Sequence, residues 1–563
     1  MMGTTYNAEM FKETFEHSFT YLNGFLRNVK MYGEKTALTE PETGRMMTYQ
    51  ELDRMSNRLV HALLADGVGK NDIVMYQLQN CIEFVCCYIG PQKLGAINSP
   101  VNFRLGAGET ALLLDDARPK VFIYDMACAE MAVSALKSAV WQPVRAVAVD
   151  TDRSRPAGAA REKLPKGHIL FEDYIQLDGE DAWNENPVPE YKPYIYDEVT
   201  RLYTSGTTNL PKGVPVNHVN EVLSAHDVMM HFPMNATDIV MNMTPWFHRG
   251  GLHAGGPTPS LYAGASMIIL KKFDPRLCLS YAQKYKVTFM IGVPSALNML
   301  VKVQQKTPYC LDCLKGIVTM GSPLEKADCE AYQKVLTPNV FNGYGTTESF
   351  WNTFLRPYDL PEMAGTAGRA CTDDEVRVVR VGDEQRSEPD ALVAADGREV
   401  GEIIIKTPKS SYSYSNNSEE AEQKFYKGYM YTGDLGTWDE NGFVTVVGRK
   451  DDMIITAGEN IYPAQLEEIL NSHPEICDCA VVAVPDKIRG QSAAVYIVRE
   501  NKKFSGKALS DFCDGHPMIS AYKKPRYYRF VDEIPMTATG KKMHYLLREM
   551  AEKDLKEGKL KRL

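Results

Sequence analysis

The sequence predicts an α/β protein. A large N-terminal domain of several subdomains, with parallel-rich sheets, is followed by a small C-terminal α+β domain. Three observations carry this. First, β-rich runs end repeatedly in Gly, Pro, Ser or Thr before a helix-like stretch: "DIVMNMTPWFH", "VTFMIGVPSAL", "GIVTMGSPL" and "NVFNGYGTTES". Parallel strands feeding loops at their carboxyl ends have this pattern, and open α/β sheets hold ligands at that edge. Second, a chain of 563 residues is too long for one compact core and suggests about two to four structural units. Third, the texture changes in "YTGDLGTWDENGFVTVVGRKDDMIITAGENIYP". Asp439 to Gly442 reads there as a hairpin turn between short strands. "GRKDD" is a charged break with no apolar anchor, which suits a linker. Beyond it the sequence predicts a helix from Pro463, strands "CAVVAVPD" and "AAVYIVRE", and a last helix from Met543. The expected boundary divides residues 1–450 from residues 451–563.

Composition narrows the class. Hydrophobic residues make up 44% and charged residues 24%, as in ordinary soluble globular proteins. Lys plus Arg is 63 against 72 for Asp plus Glu, a net charge of −9, which argues against a nucleic-acid protein held by phosphate contacts. Glu9, Glu13 and Glu16 with no long apolar run give no sign of a signal peptide. Glu83 and Lys93 bound "FVCCYIG" too closely for it to span a bilayer. A cytoplasmic protein without membrane insertion is expected. The final "KRL" departs from the peroxisomal S-K-L at its first position. The 12 cysteines do not make a disulfide framework in a chain of this length. Cys310 and Cys313 form a C-x-x-C and Cys477 and Cys479 a C-x-C, but no second C-x-x-C stands at zinc-ribbon spacing, so buried or partly buried free thiols are expected. Lys409 to Gln423, "KSSYSYSNNSEEAEQ", reads as a polar surface loop.

One stretch is built for phosphate. "LYTSGTTNLPKGVP", Leu202 to Pro215, crowds small hydroxyl residues, glycines and a lysine behind an apolar pair. Backbone N–H groups and hydroxyls in such a loop surround phosphate oxygens, and the lysine adds charge. It is not the G-x-x-x-x-G-K-[ST] loop. Read from Gly206, Pro211 replaces the second glycine and Gly213 the Ser/Thr that would hold Mg²⁺.

Together with "TYQEL", "YGTTE", "YTGD", "GRKDDMIITAGENIYPAQLEEIL" and "PMTATGK", met in order from about Thr48 to Lys541, this loop resembles the adenylate-forming superfamily of acyl-CoA synthetases, adenylation domains and luciferases. The resemblance implies that a carboxylate attacks the α-phosphate of ATP, pyrophosphate leaves, and CoA then takes the acyl group. It implies ATP, Mg²⁺ and coenzyme A as ligands and a small-molecule carboxylate as partner, and it leaves a homodimer open. Thr204, Ser205, Gly206, Thr207, Thr208 and Lys212 would hold the leaving phosphates. Asn209 stands where the family usually has glycine, and Asn tolerates positive φ better than most residues. Glu348, beside Thr347, would bind Mg²⁺ as a hard oxygen ligand. Tyr344, Gly345, Thr346 and the stretch Gly321, Ser322 and Pro323 would line the adenine slot. Asp434 would accept the ribose hydroxyls, with Arg449 donating from the other side. Lys541, on the loop-like "PMTATG", would stabilise charge between carboxylate and α-phosphate. Lys541, Thr204, Lys212 and Glu348 are thus the catalytic set. Family members rotate the small domain between half-reactions; Asp451 matches the hinge. After rotation Gly458 would line the pantetheine tunnel, and Lys524 and Arg526 of "YKKPRYY" would meet the CoA phosphates.

The acid is less legible. "PWFHRGGLHAGG" matches the segment beside the acyl group, with Phe247 and His248. Amino-acid-activating relatives carry an Asp after that Phe to pair the substrate amine; with His248 there, a buried ammonium would lack its partner. Acetate-type relatives carry a Trp after the residue matching Tyr344. Gly345 there, with Gly343 on the other side, implies a deeper pocket, walled by Phe350 and Trp351. Aromatic, alicyclic or medium-chain acids fit. Arg249 and His253 read either as polar pocket residues or as part of a Gly-rich turn near the surface. Retention of Lys541 and Glu348 argues against a non-catalytic relative, and the lack of an appended carrier segment favours free CoA over carrier-protein loading. A luciferase-like oxygenase is the remaining alternative.

Overall fold

The computed structural model describes residues 7–152, 159–175, 191–204, 212–321, 324–382, 386–456, 459–486, 489–516, 519, 523–536 and 542–563. Packing divides the chain into two compact units. The first comprises residues 1–365, 370–375 and 406–428, and the second residues 366–369, 376–405 and 429–563.

Two sheets build the first unit. One has nine strands, and past the short Arg369–Ala370 it runs Phe350–Leu355, Val340–Thr346, Gly316–Met320, Phe289–Gly292, Ile239–Asn242, Ser266–Ile268, Thr36–Glu40, Arg45–Thr48. From Val340–Thr346 to Thr36–Glu40 neighbouring strands are parallel, whereas Val340–Thr346 with Phe350–Leu355 and Thr36–Glu40 with Arg45–Thr48 are antiparallel. The four strand-then-loop runs of the sequence are therefore consecutive neighbours in one sheet, with their carboxyl ends on one edge. The other sheet runs Ile169–Leu170, Arg145–Val149, Val121–Asp125, Ile73–Gln77, Ile97–Pro100, Glu198–Thr204, Lys212–Asn217. It is parallel except for the last pair, Glu198–Thr204 with Lys212–Asn217, which is antiparallel and brings Thr204 opposite Lys212.

The shared core draws Tyr76, Val121 and Ile123 from the second sheet and Leu38 and Met267 from the first, with Leu52, Leu59 and Leu63 of helix Tyr49–Ala65. "TYQEL" starts that helix. Thr48 Oγ1 accepts from Glu51 N at 3.2 Å and Glu51 returns the bond to Thr48 N at 2.8 Å, a reciprocal cap that satisfies two end donors. "FVCCYIG" forms most of Ile82–Ile89, a helix buried on every side, as an all-round apolar helix must be. Among the described residues no helix is long and apolar enough to cross a membrane.

In the second unit, Tyr429–Trp438 pairs antiparallel with Val444–Arg449 through the expected turn. Asp439 accepts from Asn441 N at 3.0 Å and Phe443 N at 2.8 Å, and Gly442 takes φ +79°. Helix Pro463–Asn471, the long hairpin Ile476–Asp486 with Gly490–Arg499, and helix His544–Lys556 match the expected elements. The hairpin is apolar on both faces. Val481, Val495 and Ile497 enter one core while Ala480, Val482, Ala494 and Tyr496 enter another, the period-2 consequence of covering both sides.

Candidate functional site

At the carboxyl edge of the first sheet, Val340–Thr346 and Phe350–Leu355 are joined by the turn Thr347–Glu348–Ser349. Thr346 pairs with Phe350, and Phe350 closes the turn at φ +62°. A bulky side chain in the left-handed region is uncommon and costs about 1–3 kcal/mol. Packing holds it there: Phe350 is buried and stacks on Trp351 at 4.8 Å. Hydroxyls brace the turn from within. Thr346 Oγ1 and Ser349 Oγ lie 3.0 Å apart, Ser349 Oγ donates to Asn352 Oδ1 at 2.5 Å, and Asn352 Nδ2 donates to Asp374 at 3.0 Å.

Glu348 sits at the tip, 9% exposed. Tyr414 donates its hydroxyl to Glu348 Oε1 at 2.6 Å. Burial alone would raise this carboxyl, but the Lys424 charge and the Tyr414 hydroxyl more than offset it and hold it below the usual carboxylate range. An ionised carboxylate next to the hydroxyl of Thr347 is a hard-oxygen donor set that fits Mg²⁺. Thr204 and Lys212 face each other across the neighbouring hairpin in the second sheet. The Lys212 ammonium lies over the Tyr414 ring at 5.8 Å and pairs with Glu420 of helix Ser418–Lys424. Tyr414 and helix Ser418–Lys424 thus link this lysine with Glu348.

That corrects the reading of Lys409 to Gln423 as a surface loop. Lys409 is 2% exposed and pairs with Asp227 at 2.8 Å and Asp374 at 3.0 Å. Arg249 and His253 are not near the surface either: they are 3% and 0% exposed. Arg249 donates to Thr347 O at 2.7 Å and Lys409 O at 2.9 Å, and His253 Nε2 lies 2.8 Å from the buried Glu221 carboxylate. Phe247 packs on Phe103 at 5.6 Å and against the His248 ring at 4.1 Å. Tyr344 is half-buried, paired with Thr353.

The two glycines flanking Tyr344 have a different cause from the one expected. A Cβ on Gly343 would meet Trp351 Nε1 at 2.6 Å, and one on Gly345 would meet Phe350 O at 1.5 Å. The indole fills the room that Gly343 leaves, and strand pairing forbids any side chain at Gly345. Phe350 and Trp351 point into a core with Phe232, Phe341 and Phe354. These glycines are therefore no measure of pocket depth.

Among the described residues one group of potential metal ligands converges, Asp227, His231 and Cys371, with ligand atoms within 4.8 Å of one another. The Lys409 ammonium already supplies the cation, and Arg356 donates to His231 Nδ1 at 2.8 Å. It is a buried ion-pair cluster. Cys310 and Cys313 are free thiols outside it, and like Cys477 they are exposed rather than buried as expected, whereas Cys479 is buried.

In the second unit Asp434 and Arg449 are cross-strand partners. Arg449 Nη1 donates to Asp434 Oδ1 at 2.7 Å and to Thr432 O at 3.2 Å. Gly433, at φ +75°, lets the guanidinium approach, since a Cβ there would lie 3.2 Å from Nη2. Asp451 O accepts from Arg548 Nη1 at 2.6 Å, and the same guanidinium pairs with Asp452 at 3.2 Å. Lys524 donates to Ser510 at 2.9 Å and Asp514 at 2.6 Å, while the Arg526 backbone bonds Ala493 O at 2.8 Å. Lys542 pairs with Glu467 at 3.0 Å and Asp478 at 2.9 Å, and His544 Nε2 lies 2.8 Å from Glu467.

The model of the AMP-binding enzyme family matches residues 25–414, and that of the AMP-binding enzyme C-terminal domain matches residues 465–541. The chain belongs to the AMP-binding enzymes. It is an AMP-forming acyl-CoA synthetase, an acid–thiol ligase that uses ATP. The synthetase is 29% identical to the long-chain-fatty-acid–CoA ligase FadD13 of Mycobacterium tuberculosis, over 91% of this chain and 95% of that one. It is 30% identical to the indoleacetate–CoA ligase of Aromatoleum aromaticum, over 90% and 93%. The solved structure of the anthranilate CoA ligase AuaEII with anthranoyl-AMP superposes at TM-score 0.82 with 25% identity, covering 95% of the synthetase and 98% of that chain.

Of the expected site residues, Ser205, Gly206, Thr207, Thr208, Ser322, Pro323, Gly458 and Lys541 lie outside the described residues, as does Asn209. Gly321 follows the strand Gly316–Met320 at φ +82°. Sequence reading missed Tyr414, Lys424 and Glu420 around the site. Tyr414 and Glu348 are 66 residues apart, and no local periodicity marks such a pair.

Proposed function

We propose that this synthetase joins a carboxylic acid larger than acetate to CoA, with an aromatic, alicyclic or medium-chain acyl group, by way of an acyl-adenylate. One observation carries the reading. An ionised, preorganised Glu348 stands at the carboxyl edge of the sheet, beside the hairpin that ends in Thr204 and Lys212. Glu348 and Thr347 hold Mg²⁺, which when bound offsets phosphate charge. Thr204, Ser205, Gly206, Thr207, Thr208 and Lys212 grip the β- and γ-phosphates and position the α-phosphate in line. Lys212 exchanges Glu420 for phosphate oxygens. Tyr344, Gly345, Thr346 and Gly321 to Pro323 bracket adenine. Asp434 accepts the ribose hydroxyls and Arg449 donates to them. Lys541 stabilises charge as the carboxylate attacks.

Residues 1–450 and 451–563 act as the functional domains, with Asp451 as the hinge between half-reactions. Gly458, Lys524 and Arg526 serve CoA in the second. For the acid, Phe247 and His248 line the acyl side. No acidic side chain follows Phe247 to pair an amine, which disfavours α-amino acids. The names of the relatives support fatty or aryl acids. Gly345→Trp cannot test pocket size, because it would break the strand pair. A panel of acids can. With ATP and Mg²⁺, with and without CoA, products are identified by mass. kcat/KM is expected to be at least about tenfold higher for an acid of six carbons or more than for acetate, roughly 1.4 kcal/mol. Acetate as the best substrate, or thioester formed only on a carrier protein, would overturn the reading.

A further inference from the structure

Arg249 is a fully buried guanidinium whose Nη groups donate to two carbonyls, Thr347 O at 2.7 Å and Lys409 O at 2.9 Å, with Ser224 Oγ at 3.4 Å; its Nε makes no hydrogen bond. Burying a charge is costly unless its bonds do something the fold needs. Both carbonyls belong to segments that shape Glu348. Thr347 precedes it in the turn, and Lys409 opens the segment whose Tyr414 hydroxyl binds its carboxylate at 2.6 Å. His253, at the other end of helix Arg249–His253, lays its ring 5.7 Å from Phe350, the strained residue that closes the same turn. The helix itself is pinned to Glu221, which binds His253 at 2.8 Å, Tyr88 at 3.0 Å and Thr200 at 2.6 Å.

We propose that Arg249 is the positioning residue for the Glu348 carboxylate: it ties the Thr347–Ser349 turn to the Lys409–Tyr414 segment, so that Glu348 meets the divalent cation already oriented. Glu221 and His253 hold the helix that carries it. This rests on Glu348 being a Mg²⁺ ligand. Outer partners that orient a metal ligand typically change metal affinity by about 10- to 100-fold when lost. They do so without touching the metal.

The test uses Arg249→Lys, which keeps the charge but has one ammonium and no fork to span two carbonyls. Mn²⁺ binding is followed by electron paramagnetic resonance with a saturating non-hydrolysable ATP analogue. Hydrogen exchange is followed by mass spectrometry in the peptide covering residues 344–352. Mn²⁺ affinity is expected to fall at least about tenfold and the turn amides to exchange faster. Glu348→Gln is expected to weaken Mn²⁺ binding as well, and adding Arg249→Lys to it to change affinity by no more than about twofold, as for two groups acting through one ligand. Should Arg249→Lys not fold, Arg249→Met with Glu221→Gln removes both buried charges together and carries the same readouts. Unchanged Mn²⁺ affinity and exchange in Arg249→Lys, alongside a loss in Glu348→Gln, overturns the proposal alone. Unchanged affinity in Glu348→Gln overturns the metal reading and this proposal with it.

Discussion

Glu348 and Asp434 are both carboxylates of family motifs, yet they are built in opposite ways. Asp434 finds its partner directly across a hairpin: Arg449 lies opposite in register, 15 positions away, with 43% of its side chain exposed. Glu348 is 9% exposed and depends on Tyr414, 66 positions away, on Lys424, and on a turn closed by a strained Phe350. Both carboxylates are equally buried, at 9% exposure, so what differs is the source of their support: one cross-strand neighbour for Asp434, groups from distant segments for Glu348. A ligand for a hard cation must stay ionised while shielded from water, so it needs charge and hydrogen bonds imported from elsewhere. The contrast predicts that Asp434 depends on one neighbour and Glu348 on several distant ones.

Substitutions sharpen that contrast. The largest effect belongs to Glu348→Gln, expected to slow carboxylate-dependent pyrophosphate release about 10²-fold, the scale for one preorganised electrostatic group. Measured across a Mg²⁺ series, its requirement for the cation should rise. Arg449→Leu should act on nucleotide binding, with KM for ATP up about tenfold, or roughly 1.4 kcal/mol, and thermal stability changed by less than about 1 kcal/mol because the Arg449 side chain is 43% exposed. A large loss of stability there would break the contrast.

Tyr414→Phe removes one hydrogen bond to a charged group and should cost about tenfold at neutral pH, near 1.5 kcal/mol. It should also move the acidic limb of the pH–rate profile. Glu348 is held below its usual value, so its charge is present above the ordinary carboxylate pKa and lost as pH falls through the depressed one. Without the Tyr414 hydroxyl that limb shifts to higher pH; an unmoved limb would dissociate Tyr414 from the carboxylate. The smallest effect is expected at His544. Burial would lower its pKa, but the hydrogen bond and charge of Glu467 raise it overall. The stabilisation is then complete below about pH 6.5 and lost as pH rises through the raised folded value. Unfolding midpoints measured from pH 6 to 9 should fall by the equivalent of about 1 kcal/mol or less. His544→Gln should remove that slope.

The same contrast explains what the sequence revealed. Strand–loop runs, the Thr48 capping box, the Asp439–Gly442 turn and the second-unit hairpin are local patterns, and all are present. So are the motif residues of Asp434 and Arg449, because register brings them together. What stayed hidden was the support for Glu348. Lys409, Tyr414 and Lys424 sit in a polar stretch with no apolar period, and Arg249 and His253 lie among glycines that read equally as pocket lining or as an exposed turn. Their burial is decided by partners up to 182 residues away. The glycines at 343 and 345 misled for a related reason. A missing side chain reads as space in a sequence, whereas Trp351 and the Phe350 carbonyl occupy it.

The division of labour between the two half-reactions is tested most directly by Lys541→Ala, with rapid-quench measurement of pyrophosphate release and of thioester formation from ready-made acyl-AMP and CoA. Release should slow by about 10²-fold or more while thioester formation stays near the wild-type rate. Equal slowing of both would mean that one fixed arrangement serves both reactions and that Asp451 is a linker only.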